Sequence, residues 1–347
     1  MRAAIERWAQ HVWSGTGLTS TVLLPISWII RAVSTYRARC VRRYPERAYH
    51  APVPVVVVGN IMVGGTGKTP IVIALVEALR ACGWTPGVVS RGYGARPTSQ
   101  VQLSMDDASV QTLGDEPALI ARQTAAPVAV HPQRVRAIRT LLTRCPNVDV
   151  IISDDGLQHL AMARDLEIIV QDERGTGNGR LLPAGPLREP ACRLNRADWV
   201  ITTLSAGSIC ASTTSGLTVQ LRPTHVEHLA TGENLDWEHW QARYTQFPCS
   251  ALAAIGQPER FFTMLRASGI NLAQTRALPD HDAFQDNPFA DLPDAPVLIT
   301  AKDGIKCKDL GDPRVWVVHV EPVFSDPLWI QQVDMRLKAI RHTLYKH

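Results

Sequence analysis

Two residue patterns in this chain could hold and move a phosphoryl group. The first is Gly64-Gly65-Thr66-Gly67-Lys68-Thr69, in which glycines free backbone N–H groups to turn onto phosphate oxygens. Lys68 would reach the β- and γ-phosphates of a nucleoside triphosphate, and the Thr69 hydroxyl would ligate Mg²⁺. The usual loop has a glycine five residues before Gly67. Here that position is Met62, so Met62 to Thr69 matches the variant with Gly-Gly in its middle, and Val63 stands where an extra lysine can occur. The second pattern is Asp154-Asp155, closing the largely apolar run from Val148 to Ser153. An acid at a strand end is the expected partner of the loop threonine on Mg²⁺, directly or through water. Spacing leaves open which of the two touches the metal.

Other polar clusters are weaker when read alone. Gly114-Asp115-Glu116-Pro117 opens a helix, where carboxylates and proline are favoured for structural reasons. Pro279-Asp280-His281-Asp282-Ala283-Phe284 sets a histidine between two aspartates, which raises its basicity, although a loop histidine is commonly just solvated. Thr300-Ala301-Lys302-Asp303 faintly matches the element that reads a base in some GTP-binding proteins. His131-Pro132-Gln133-Arg134-Val135-Arg136, with Arg139 one turn on, and the turn-rich stretch from Asn178 to Glu189, with Arg180 and Arg188, offer guanidinium forks suited to phosphate. A solvated basic face is the alternative for both.

The elements that must position these residues alternate along the chain. Strands are expected at 53–58, 86–90, 127–131, 148–153 and 166–171, with helices at 70–82, near 115–125 and at 132–144. That order predicts an α/β fold of the P-loop NTPase type, a mostly parallel sheet covered by helices with ligands beyond the carboxyl ends of its strands. A second α/β pattern follows, with strands at 251–255, 297–300 and 315–320 and helices at 258–268 and 327–345. We therefore expect a nucleotide-binding core over residues 51–222 and a smaller α/β domain over 223–347, ending in a helix. The 347 residues suffice for two cores. A net charge of +4 does not imply a nucleic acid partner, and no obligatory protein partner is evident. Seven scattered cysteines without a Cys-x-x-Cys pair suggest neither a disulfide framework nor a zinc site, which reads as cytosolic.

Residues 1–50 read as a separate segment. LTSTVLLPISWIIRAV, from Leu18 to Val33, is broken by Pro25, Ser27 and Arg31 and falls short of a spanning helix. Trp8, Trp13 and Trp28, followed by Arg31, Arg37, Arg39, Arg42, Arg43 and Arg47, suit a helix lying in an anionic membrane interface. A helix packed on its own domain is the other reading.

Taken together and in order, VVVVGNIMVGGTGKTP, VVSRGYG, GDEP, APVAVHPQRVRA, DDGLQH, RDLEIIVQD, GNGRLLPAGPLREP, AAIGQPERFF, PDHDAF and TAKDGIKC resemble the tetraacyldisaccharide 4′-kinase family, membrane-associated lipid A kinases of Gram-negative bacteria. The match spans Val55 to Cys307. The resemblance implies transfer of the γ-phosphoryl of ATP, with Mg²⁺, to the 4′-hydroxyl of a tetraacyldisaccharide 1-phosphate at the cytoplasmic face of the inner membrane. It implies catalytic roles for Asp115 and His281, which the residues alone do not favour. It assigns the loop Met62, Val63, Gly64, Gly65, Thr66, Gly67, Lys68 and Thr69 to the nucleotide, and Thr69, Asp154 and Asp155 to the metal. Arg91, Arg134, Gln158, His159, Arg188 and Glu189 become candidate substrate-binding residues. The family often has a second histidine or another polar residue after the motif histidine; here Asp282 follows. Asp115 and His281 belong to different expected domains, so the site should be complete only on closure. A membrane-cycling P-loop ATPase switch and a soluble small-molecule kinase are the rival readings of the same residues.

Overall fold

The computed structural model describes residues 12, 13, 15–208, 216–244, 246–280, 282, 284 and 287–344. At its centre lies β1 (Val55–Gly59), whose β-branched residues are buried on both faces, as a central parallel strand requires. β5 (Val150–Asp154) and β6 (Leu166–Asp172) flank it in parallel, with Val58 opposite Asp154 on one side and Ile168 on the other. One wing continues through β2 (Pro86–Ser90) and β4 (Val128–Val130) to the short antiparallel edge β3 (Gln102–Leu103). The other runs through β7 (Trp199–Leu204) to β8 (Leu217–His228). β8 pairs antiparallel with β13 (Val315–Phe324), and β12 (Val297–Thr300), β10 (Cys249–Ala253) and β11 (Leu272–Ala277) follow in parallel. The strand β9 (Asn234–Asp236) pairs onto β8.

The described residues thus form one largely parallel sheet of thirteen strands, in an α/β fold. The residue-222 boundary falls inside β8, and hydrogen bonding runs through it. Each wing still has its own apolar layers. Helix Lys68–Ala81 packs Ile71, Leu75 and Leu79 over Val56, Val58 and Ile152, whereas helix Pro258–Ala267 packs Phe262 and Leu265 over Ala251 and Trp316. The C-terminal helix Trp329–Leu344 crosses back to the first wing, where Trp329, Val333 and Leu337 join its core and Trp84 donates to Asp334 at 2.8 Å.

Helix Leu24–Arg43 forms from the N-terminal segment, after the short helix Leu18–Val22. No described helix is long and apolar enough to cross a membrane. The segment docks through hydroxyls: Ser27 of the long helix donates to Leu181 O at 2.8 Å and accepts from Ala184 N at 3.1 Å, while Ser20 of the short helix accepts from Arg180 at 2.8 Å. The outer side of the long helix leaves Trp28 and Ile29 more than 60% exposed. Trp13 instead donates its indole N–H to Pro183 O, and Trp8 lies outside the described residues.

Candidate active site

The glycine-rich loop leaves β1 at Gly59 and enters helix Lys68–Ala81 at the lysine itself, two residues earlier than periodicity suggests. Gly67 caps that helix with φ +77°, a left-handed conformation natural to glycine. The loop is held from beneath by Asn60, whose side-chain amide donates to Gly64 O at 3.2 Å and Thr66 Oγ1 at 3.3 Å. Outer supports come from three other segments. Val63 N donates to Pro186 O at 2.9 Å, Thr203 Oγ1 to Thr66 O at 2.9 Å, and Gln257 Nε2 to Gly65 O at 3.0 Å. Met62, in the usual glycine's place, is buried and bridges to Leu187. Its side chain therefore serves the core while the neighbouring glycines keep the loop open.

β5 lies beside β1, so Asp154 and Asp155 arrive next to the loop. Asp155 bears the ion pairs: Lys68 Nζ lies 3.4 Å from one oxygen and Arg188 3.2 Å from the other. Burial works against its ionisation, but Lys68 and Arg188 outweigh it and hold the carboxyl below the usual range. Asp154 is more deeply buried. Burial, with Glu116 and Asp155 adding negative charge against Lys68 and Arg134, pushes its carboxyl up to about 7. Ser90 donates to Asp154 Oδ2 at 3.0 Å, while Oδ1 is buried without a hydrogen-bond partner among the described residues. Such an oxygen, on the strand next to the one that feeds the loop, fits a hard divalent cation. Among the described residues no group of three or more His, Cys, Asp or Glu could hold a metal ion.

The expected substrate residues divide into exposed and structural ones. Arg91 is exposed just beyond β2. Arg134, in contrast, is 2% exposed and turned onto the backbone, donating to Asp154 O at 3.1 Å and His131 O at 3.3 Å. Burial lowers its pKa to about 10, against the opposing pull of Asp154 and Asp155. His159 Nε2 lies 2.6 Å from Pro132 O, and burial depresses its pKa despite that bond. Gln158 donates to Asn60 O at 3.3 Å and to Glu189 at 2.7 Å, so these residues brace the loop end of β1. Glu189 also receives Arg193 at 3.2 Å.

Asp115 opens helix Asp115–Thr124 behind the loop 91–94. Gly114 permits that approach, because a Cβ there would stand 2.3 Å from Tyr93 O. Asp115 is buried, with Lys306 Nζ 3.8 Å from its carboxylate. The adjoining Glu116 meets Lys302 at 3.2 Å, and Lys302 also meets Asp280 at 3.3 Å. Glu116, Lys302 and Lys306 were not expected at the site. The signal that could have found the lysines is their four-residue spacing on helix Ala301–Cys307, opposite two adjacent acids. The Thr-Ala-Lys-Asp motif is no base reader: Asp303 is fully buried, accepting from Ala254 N at 3.1 Å and Thr300 Oγ1 at 2.7 Å. His281 lies outside the described residues; its neighbour Asp282 accepts from Phe284 N at 2.8 Å.

A glycine-rich loop with its lysine, two strand-end aspartates and a facing acid pair, all at the carboxyl ends of a parallel sheet, define a P-loop kinase. The model of the tetraacyldisaccharide-1-P 4′-kinase family matches residues 19–338. The tetraacyldisaccharide 4′-kinase of Bordetella parapertussis is 48% identical, covering 96% of this chain and 97% of that protein. That of Herminiimonas arsenicoxydans is 44% identical, covering 94% and 96%. The crystal structure of LpxK from Aquifex aeolicus in complex with ATP superposes with a TM-score of 0.76 at 25% identity, covering 92% of this chain and 99% of that one. The chain belongs to the tetraacyldisaccharide-1-P 4′-kinase family.

Proposed function

We propose that the protein transfers the γ-phosphoryl of ATP to the 4′-hydroxyl of a tetraacyldisaccharide 1-phosphate, a step of lipid A biosynthesis. The observation that carries the acceptor chemistry is the buried Asp115 beside the half-buried Glu116, with Glu116 near enough to Asp154 to raise its carboxyl. The loop amides and Lys68 hold the triphosphate. Thr69 and Asp154 would hold Mg²⁺, while Asp155 is engaged by Lys68 and Arg188. The ion, when bound, supplies charge neutralisation across the β- and γ-phosphates.

Asp115 accepts the proton of the sugar hydroxyl as its oxygen bonds to the γ-phosphorus and the bond to the bridging oxygen of ADP breaks. His281 orients or charges Asp115 as its partner. Closure of the two wings of the sheet on the substrates would complete the site by setting His281 against Asp115. Arg91 and Arg188 are cations suited to anionic groups of the lipid. The exposed apolar side of helix Leu24–Arg43 and its arginines lie on the anionic cytoplasmic face of the inner membrane.

ATP consumption with and without a phosphorylated disaccharide acceptor tests this reading. We expect acceptor to raise turnover by at least about tenfold, since phosphoryl transfer depends on a positioned nucleophile. Equal turnover without acceptor would favour an ATPase switch instead.

A further inference from the structure

Helix Ala301–Cys307 carries a lysine that the phosphate chemistry does not use. Lys306 is 5% exposed, and its ammonium lies 3.1 Å from Asp303 Oδ1 and 3.8 Å from Asp115 Oδ2. The Phe284 ring covers it at 4.7 Å. Asp303 cannot shift to accommodate it, because its other oxygen is tied to Ala254 N and Thr300 Oγ1. The helix cap therefore fixes Asp303, Asp303 fixes Lys306, and Lys306 faces the carboxylate proposed to take the hydroxyl proton. The residue pressed on it, Phe284, belongs to the same short loop as His281.

From this juxtaposition of the capped Asp303, the buried ammonium and the Asp115 carboxylate, we infer that Lys306 is a positioning residue for phosphoryl transfer. It orients Asp115 from the opposite wing of the sheet and lies against the Phe284 ring. Stability alone is a poor reason for the arrangement. A buried ion pair of this kind is often matched or bettered by apolar packing, because both charges lose their water. Its position is also shared work. Lys302, one turn earlier, holds Glu116 and Asp280, so the two lysines clasp adjacent acids at the start of helix Asp115–Thr124. Each lysine has one carboxylate partner in each wing, but Lys306 is the more enclosed, 5% exposed against 13% for Lys302.

The inference rests on Asp115 acting as the base, and a double-mutant cycle separates the two claims. Lys306→Met should lower kcat by about 10²-fold with KM for ATP changed less than about threefold, the pattern of lost orientation at the reacting group. Lys306→Arg should keep the fold and lose about tenfold, since the charge is retained on a wider, planar group. In an Asp115→Asn background, Lys306→Met should cost little more, because the group it positions has gone. Thermal melting of each variant accompanies the kinetics. Wild-type kcat in a folded Lys306→Met protein overturns the inference, as do losses that multiply with those of Asp115→Asn. If Lys306→Met does not fold, Lys306→Arg decides: reduced kcat at unchanged KM supports the role, and wild-type kcat overturns it. Wild-type activity in Asp115→Asn alone would instead sink the assignment of the base.

Discussion

Replacing Lys68 by methionine lowers kcat/KM for phosphoryl transfer by about 10³-fold, the scale associated with removing a preorganised charge from a phosphoryl-transfer site. Two effects act together. The first is loss of the cation at the triphosphate, where the loop amides alone remain. The second is electrostatic and local. Lys68 is only 11% exposed and lies 3.4 Å from Asp155, so its removal leaves that carboxylate with Arg188 as its remaining close cation. The same charge opposes burial at Asp154, whose carboxyl already stands near 7. Without Lys68 that carboxyl rises further, and the ionised form needed by a divalent cation is reached only at higher pH. The acid limb of the residual activity should therefore move upward. Lysine 68 replaced by arginine should not restore the rate, because the wide guanidinium does not substitute for a point charge in a close-fitting loop. Steady-state kinetics across pH check both parts, and near-normal kcat/KM in Lys68→Met would refute them.

Asp115→Asn is expected to lower kcat by about 10³-fold while ATP affinity stays within a few fold. Asparagine keeps the size and the helix-start geometry, so it removes basicity with little change of packing. The nucleotide loop lies on β1 and helix Lys68–Ala81, whereas Asp115 opens a different helix, which separates binding from acceptor activation. Nucleotide titration and single-turnover transfer measure the two independently. A mutant that loses ATP binding in proportion to turnover would show that Asp115 supports the nucleotide loop instead.

The nucleotide half of this site was readable because its parts are local. An apolar strand, a glycine-rich turn and a helix are consecutive, and Asp154-Asp155 closes the next strand of the same kind. Family resemblance was needed to raise Asp115, since an acid at a helix start has an ordinary electrostatic explanation. The membrane-interface reading of the N-terminal helix remains a proposal, although its exposed Trp28 and Ile29 agree with it. What the sequence hid is long-range. β8 is half-exposed and polar in places, and its antiparallel pairing with β13 joins residues about a hundred apart, which no local period announces. Arg134 looked like a surface phosphate ligand because arginine seldom goes inside; here the backbone carbonyls of His131 and Asp154 supply its partners. Lys302 looked like part of a base-reading motif, whereas in the structure it and Lys306 meet the start of helix Asp115–Thr124 across the site.

The most direct test of the central claim follows the label of γ-phosphorus-labelled ATP incubated with the purified protein and a tetraacyldisaccharide 1-phosphate in mixed micelles. The expected products are ADP and a single labelled lipid, a bisphosphate whose new phosphomonoester sits on the 4′-oxygen. Label recovered as inorganic phosphate, with the lipid unchanged, would contradict that claim.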